Sequence, residues 1–242
     1  PNKERNAQVR DQFHVAGYPT VLLISADGDV FARTGFRPGG VNLYLEHLDA
    51  IAVEGRVALD EAKNAHAGLL AAKPEDRKPL FESILARLAE LSATDPGASV
   101  YLKAIRETLT LDSDNALGLK EMAVVALLEQ DLADGKTFQA AREVDPKNAK
   151  AIFEKAVMAQ VSDVDSGDEA AAKAALEVID ALTSAGPIQD QDVAVDLYVN
   201  AATWSFHLLG EKDRAKKYAE KLKAMDLGQT GIDRLIQEIL EG

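Results

Sequence analysis

Not one of the 242 residues is cysteine. Within the chain this excludes a disulfide scaffold, a thiolate metal site and a cysteine nucleophile. No run approaches the roughly 18 apolar residues that a membrane-spanning helix needs, so no membrane span is expected. Aromatic residues make up only 5%. Positive charge is scarce too: 27 lysines and arginines face 40 aspartates and glutamates, a net charge of −13. The deficit is uneven, because residues 1–40 are nearly balanced whereas residues 41–242 carry 22 basic against 36 acidic side chains. Such a surface repels phosphate backbones and argues against a nucleic-acid partner. The first residue is Pro1, and no basic region followed by an apolar stretch precedes the fold. A start removed by processing or truncation is the expectation.

What is present follows two grammars that change over near residue 52. From Thr20 to Phe36 the sequence reads as a β-hairpin: an apolar β-rich run, Asp27-Gly28 as the turn, then a run in which Val30, Ala32 and Thr34 alternate with Phe31, Arg33 and Gly35. The first strand is apolar at successive positions, which predicts cover on both faces. Pro38-Gly39-Gly40 breaks the chain, and Val41, Tyr44, Leu45 and Leu48 then recur at helical spacing. After residue 55 helices follow one another. Leu80, Phe81, Ile84, Leu85, Leu88 and Leu91 form one apolar stripe, and Ile152, Phe153, Ala156 and Val157 begin another. Asp95-Pro96 and Asp145-Pro146 read as helix starts, each with a capping oxygen and a proline suited to a first turn, and Gly210 reads as a stop before the next helix.

A segment also repeats. Asp112-Ser113-Asp114-Asn115-Ala116 recurs as Asp145-Pro146-Lys147-Asn148-Ala149, displaced by 33 residues, close to the roughly 34-residue period of a tetratricopeptide unit. Phe138, Ala141 and Pro146 keep the spacing of that motif's second helix, and Gly210 to Asp226 has the same pattern on Ala215, Ala219 and Leu222. The motif's first-helix tryptophan, glycine and tyrosine are not reproduced. Residues 56–242 therefore resemble a degenerate tetratricopeptide-like stack of helix pairs.

The first 50 residues carry a second resemblance. Phe13-His14-Val15-Ala16-Gly17-Tyr18-Pro19-Thr20, the apolar strand to Ile24, the Asp27-Gly28 turn, the strand to Gly35 and the helix after Gly40 stand in the order of the C-terminal half of a thioredoxin-like domain. The fold class expected is thus α+β followed by all-α: residues 1–52 as a partial thioredoxin-like fold of hairpin plus helix, residues 56–242 as the helical repeat region. The resemblance implies that Pro19 is cis and that Tyr18, Pro19 and Thr20 bind an extended substrate backbone. It also implies a Cys-x-x-Cys pair on a preceding half that these residues do not include, with an open apolar edge left on the first strand.

Other candidates read as structure. His14, His47, His66 and His207 are scattered and lack metal-ligand spacing. Asp163, Asp165 and Asp168 around Gly167 fail as a calcium loop, because the glycine falls one position early and Ala174 stands where a bidentate glutamate is required. Ser166 or Asp168 instead suits a helix cap. Arg37-Pro38-Gly39-Gly40 lacks the lysine and hydroxyl of a phosphate loop, and Trp204 has the spacing of helix-pair core with Leu197 and Ala201. No metal or other cofactor is expected.

The resemblance implies thiol–disulfide exchange on protein substrates, with catalysis absent from this cysteine-free chain; it suggests a cell-envelope or periplasmic location, with the cytoplasm as the alternative. The alternative is a non-catalytic, chaperone-like or scaffold protein that holds protein partners through its helical repeats.

Overall fold

The computed structural model describes residues 2–162, 164 and 167–242, and 69% of these are helical. It divides into two compact units, residues 1–120 and 121–242.

In the first unit a helix α1 (Lys3–Gln12) precedes a two-stranded antiparallel sheet of β1 (Thr20–Ile24) and β2 (Val30–Gly35). Sequence reasoning missed α1 because it has no apolar stripe and buries no side chain. The hairpin closes where Asp27-Gly28 places a glycine at φ 91°, with the Ser25 amide donating to the Asp29 carbonyl at 2.8 Å. The register runs from Thr20↔Gly35 to Ile24↔Val30, with an irregularity at Leu23/Ile24.

Helix α2 (Gly40–Ala71) covers one face of this sheet and continues unbroken through residues 52–56. Phe31 and Ala32 of β2 are buried beneath it, whereas Val21 and Ile24 of β1 remain exposed. The expectation of a first strand covered on both faces is therefore corrected: β1 is an edge strand, and one helix can shield only one face of two strands. Lys63 of α2 ties back to the hairpin turn, with its Nζ 2.8 Å from Asp27 and 2.9 Å from Asp29. Its hydrogen bond and charge hold the Asp27 carboxyl below the usual carboxylate range.

Helices α3 (Pro74–Ala89) and α4 (Ala98–Leu111) complete the core of this unit, where Leu59, Leu69, Phe81, Ile84, Leu88 and Ile105 are buried. The predicted stripe on α3 thus lies inward at Phe81, Ile84 and Leu88. Asp95 does not cap α4. Its carboxylate accepts from the Ser92 amide at 2.7 Å, and the helix opens three residues later, after Gly97 at φ 84°.

The repeated segment adopts one loop conformation twice. Asp112 ends α4 and its buried carboxylate accepts the amides of Leu117 (3.1 Å) and Leu119 (2.8 Å), the latter opening α5 (Leu119–Glu129). Asp145 ends α6 (Gly135–Val144), is equally buried, and accepts the amides of Ala149 (2.7 Å) and Ile152 (3.0 Å), where α7 (Ile152–Val161) begins. Asn115 and Asn148 stand at φ 56° and 52°, and Gly118 and Ala151 at 76° and 60°. Each of these pairs is separated by the same 33 residues. Asp145-Pro146 therefore starts a capped loop rather than a helix.

The second unit continues with α8 (Glu169–Ala185), α9 (Gln191–Thr203), a π-helical turn over Trp204–Leu208, α10 (Lys212–Met225) and α11 (Thr230–Glu241). Asp134, Asp168 and Asp190 cap α6, α8 and α9, each through its carboxylate to two backbone amides. Asp163, Asp165 and Ser166 lie outside the described residues. The core includes Phe153, Leu176, Ile179, Leu197, Trp204 and Tyr218.

Two polar assemblies lock it. Glu154 is buried, and its carboxylate accepts from the Asn148 side chain (2.5 Å) and from the amides of Gln189 (2.7 Å) and Asp190 (3.1 Å). Asp180 of α8 receives Arg214 Nε (3.1 Å), Lys217 Nζ (2.6 Å) and the Tyr218 hydroxyl (2.7 Å) from α10. Burial opposes ionisation of Asp180, yet hydrogen bonds from Lys217 and Tyr218 and the nearby positive charges hold its carboxyl below the usual range. Burial, followed by the bond to Asp180, pushes the Tyr218 phenol well above its ordinary value.

Candidate functional site

The loop that enters β1 is fixed from three directions. Arg33 of β2 donates through its guanidinium to the carbonyl oxygens of His14 (2.9 Å) and Phe13, which anchors the segment before the loop. Thr20 Oγ1 donates back to the Gly17 carbonyl at 2.6 Å. Across the hairpin the backbone of Gly35 comes so near that a Cβ there would lie 2.9 Å from the Pro19 carbonyl oxygen. Only a residue without a side chain fits that approach.

Within this frame the Tyr18–Pro19 peptide bond is cis, Pro19 is exposed and the Tyr18 ring is 82% exposed. Tyr18, Pro19 and Thr20 are thus consecutive on one accessible turn. Sequence reasoning missed Phe36, which follows Gly35 and is 78% exposed. Because Thr20 pairs with Gly35, Pro19 and Phe36 flank the same end of the hairpin. The available signal was an aromatic residue placed just after the strand and before Arg37-Pro38. Behind this end Thr34 Oγ1 lies 2.8 Å from His47 Nε2, which links β2 to α2. The site therefore presents two exposed aromatic rings and a backbone turn on a braced hairpin. It holds no cysteine.

The histidines do not converge. His47 meets Thr34, His66 lies 2.7 Å from Glu107 and His207 lies 3.8 Å from Glu238. Among the described residues no group of three His, Asp or Glu side chains could hold a metal ion. No helix among them is long and apolar enough to cross a membrane.

A separate cleft of about 660 Å³ opens in the second unit between α5 and α7. Val125, Leu128, Ile152 and Met158 line it together with charged residues that include Glu121, Glu129, Lys150 and Lys155.

Comparison with known proteins gives one partial likeness to a curated protein. Over 46 residues the chain is 35% identical to the disulfide bond reductase DsbH of Chlamydia pneumoniae. That stretch covers 19% of this chain and 28% of the relative, so the chain spans well under a third of that protein's length. No family model and no solved structure matches the chain.

Proposed function

We propose that residues 1–52 are part of a thioredoxin-like module that exchanges thiols with disulfides on protein substrates in the cell envelope, and that residues 56–242 form a tetratricopeptide-like region that positions partners. The observation that carries this reading is the 46-residue likeness to a disulfide bond reductase. The braced Tyr18-Pro19-Thr20 turn supports it. In this reading the substrate backbone lies along Tyr18, Pro19 and Thr20, and the exposed rings of Tyr18 and Phe36 contact its side chains. Exchange requires a thiolate that attacks a disulfide sulfur and passes through a mixed disulfide. A chain without cysteine supplies binding and orientation, and the thiol pair comes from polypeptide outside these 242 residues.

A second reading is favoured by the cysteine-free composition together with the cleft between α5 and α7, which combines aliphatic and charged lining. In it the protein is a chaperone-like scaffold that holds partners without redox chemistry.

One set of measurements separates the two. The coding sequence upstream of Pro1 is read for Cys-x-x-Cys, and the longer product is assayed on a protein disulfide and on a small-molecule disulfide. Turnover of both is expected. Tyr18→Ala should then raise KM for the protein substrate roughly tenfold, the scale of a lost aromatic anchor, and leave the small substrate unaffected. A product that has both cysteines yet reduces neither substrate sinks the redox reading and leaves the scaffold.

A further inference from the structure

Every large hydrophobic side chain that is exposed among the described residues falls between Val9 and Leu80. The helices beyond residue 80 hide theirs. Part of this exposed set forms an ordered pattern on α2. Its inner side packs on the sheet and on neighbouring helices through Gly55, Leu59, Ala62 and Leu69. On the opposite side Leu43, Ala50 and Val57 recur every seven residues, with Val53 beside them, and all four are exposed. A seven-residue step returns to nearly the same side of a helix, so the four make a row about 21 Å long at 1.5 Å per residue.

The charge around the row is predominantly acidic. Glu46, Asp49, Glu54, Asp60 and Glu61 flank it and are exposed, and none has an ion-pair or side-chain hydrogen-bond partner among the described residues. The one cation on this stretch, Arg56, lies over the Phe31 ring at 5.2 Å. An apolar row with acidic borders is complementary to a helix with an apolar stripe and basic borders. It is a poor match to a second copy of itself, since acidic borders would meet acidic borders, and to an anionic lipid surface for the same reason.

We propose that the outer face of α2, centred on Val53 and Val57, docks a basic amphipathic helix of a partner protein. The partner's apolar side chains cover Leu43, Ala50, Val53 and Val57, while its lysines or arginines reach Glu46, Glu54 and Asp60. This surface does not depend on the redox reading of the hairpin.

The test uses the full 242-residue chain and a labelled 18-residue helix of leucine and lysine, with a leucine–glutamate helix of the same apolar face as control. The basic helix should bind, the acidic one should not, and raised salt should weaken binding. The double variant V53D/V57D should lose about tenfold or more in affinity, the equivalent of one to two buried aliphatic side chains. This variant adds negative charge, so attraction by charge alone would tighten its binding. Both side chains are exposed and an unchanged circular dichroism melt confirms folding. The charge variant E54K/D60K should also weaken the basic helix. Equal or tighter binding by V53D/V57D, or no binding by the wild-type chain, overturns the proposal. So does a dimer in sedimentation that V53D/V57D dissociates, which would give the face to a second copy.

Discussion

Gly55 of α2 lies against the backbone of Phe31 so closely that a Cβ at residue 55 would stand 1.6 Å from the Phe31 carbonyl oxygen. The glycine is helical and its conformation is ordinary. Its role is contact: it lets a 32-residue helix settle directly on β2 and bury Phe31 and Ala32.

Gly55→Ala should therefore destabilise the first unit by about 3 kcal/mol, the upper end of ordinary overpacking costs, because the obstacle is backbone and cannot rotate away. Gly68→Ala, on the same helix with nothing within 4 Å of a Cβ, should be neutral or slightly stabilising. Urea denaturation of the two variants checks this. Equal midpoints would mean that α2 does not sit on β2 as described.

The twin loops yield a second expectation. Asp145→Ala leaves the amides of Ala149, Lys150 and Ile152 without their acceptor, and should cost about 2–3 kcal/mol, as capping losses do when the orphaned groups are buried. Asp112→Ala should cost a similar amount. Asp114→Ala removes a single long, exposed hydrogen bond from the Ala116 amide (3.2 Å) and should cost less than about 0.5 kcal/mol. Denaturant midpoints that fail to separate Asp145 from Asp114 would refute the capping account.

Titration of the α8–α10 contact gives a third. Tyr218 has its phenol pushed up by burial and by the Asp180 carboxylate, so the folded state keeps a proton that the unfolded chain releases near pH 10. Its contribution is complete below about pH 10 and declines as pH rises beyond it. Asp180 acts in the opposite sense. Its folded value lies below that of the unfolded chain, so its contribution is complete above about pH 4 and is lost as pH falls through the folded value. Tyr218→Phe should flatten the alkaline limb of a stability-against-pH profile and leave most of the acid limb in place. An unchanged alkaline limb would remove Tyr218 from the account.

How much of this was legible beforehand depended on how local the signal was. The hairpin, its Asp27-Gly28 turn and the helix after Gly40 could be read because turn chemistry and periodicity are written within a few residues. The 33-residue offset was legible as a repeat of letters, though not as a loop, since Asp-Pro also resembles a helix start. α1 was invisible because a helix with no buried side chain leaves no periodic trace. The exposure of β1 was misread because an apolar strand looks the same whether or not anything covers its second face. Tyr18, Pro19 and Thr20 were named from resemblance, while Phe36 went unnoticed: its place depends on the pairing of Thr20 with Gly35, which spans 15 residues.

The two loops at 112–120 and 145–153 share few letters beyond Asp, Asn and Ala. One copy fills its second left-handed position with Gly118 and the other with Ala151. Other positions differ, from Ser113 to Pro146 and from Leu117 to Lys150, although Leu119 and Ile152 both bury an aliphatic side chain. Each joint is set by a buried carboxylate and one left-handed asparagine, and in the second copy that asparagine also grips Glu154 of the helix it opens, so the turn and the first turn of the next helix are specified together.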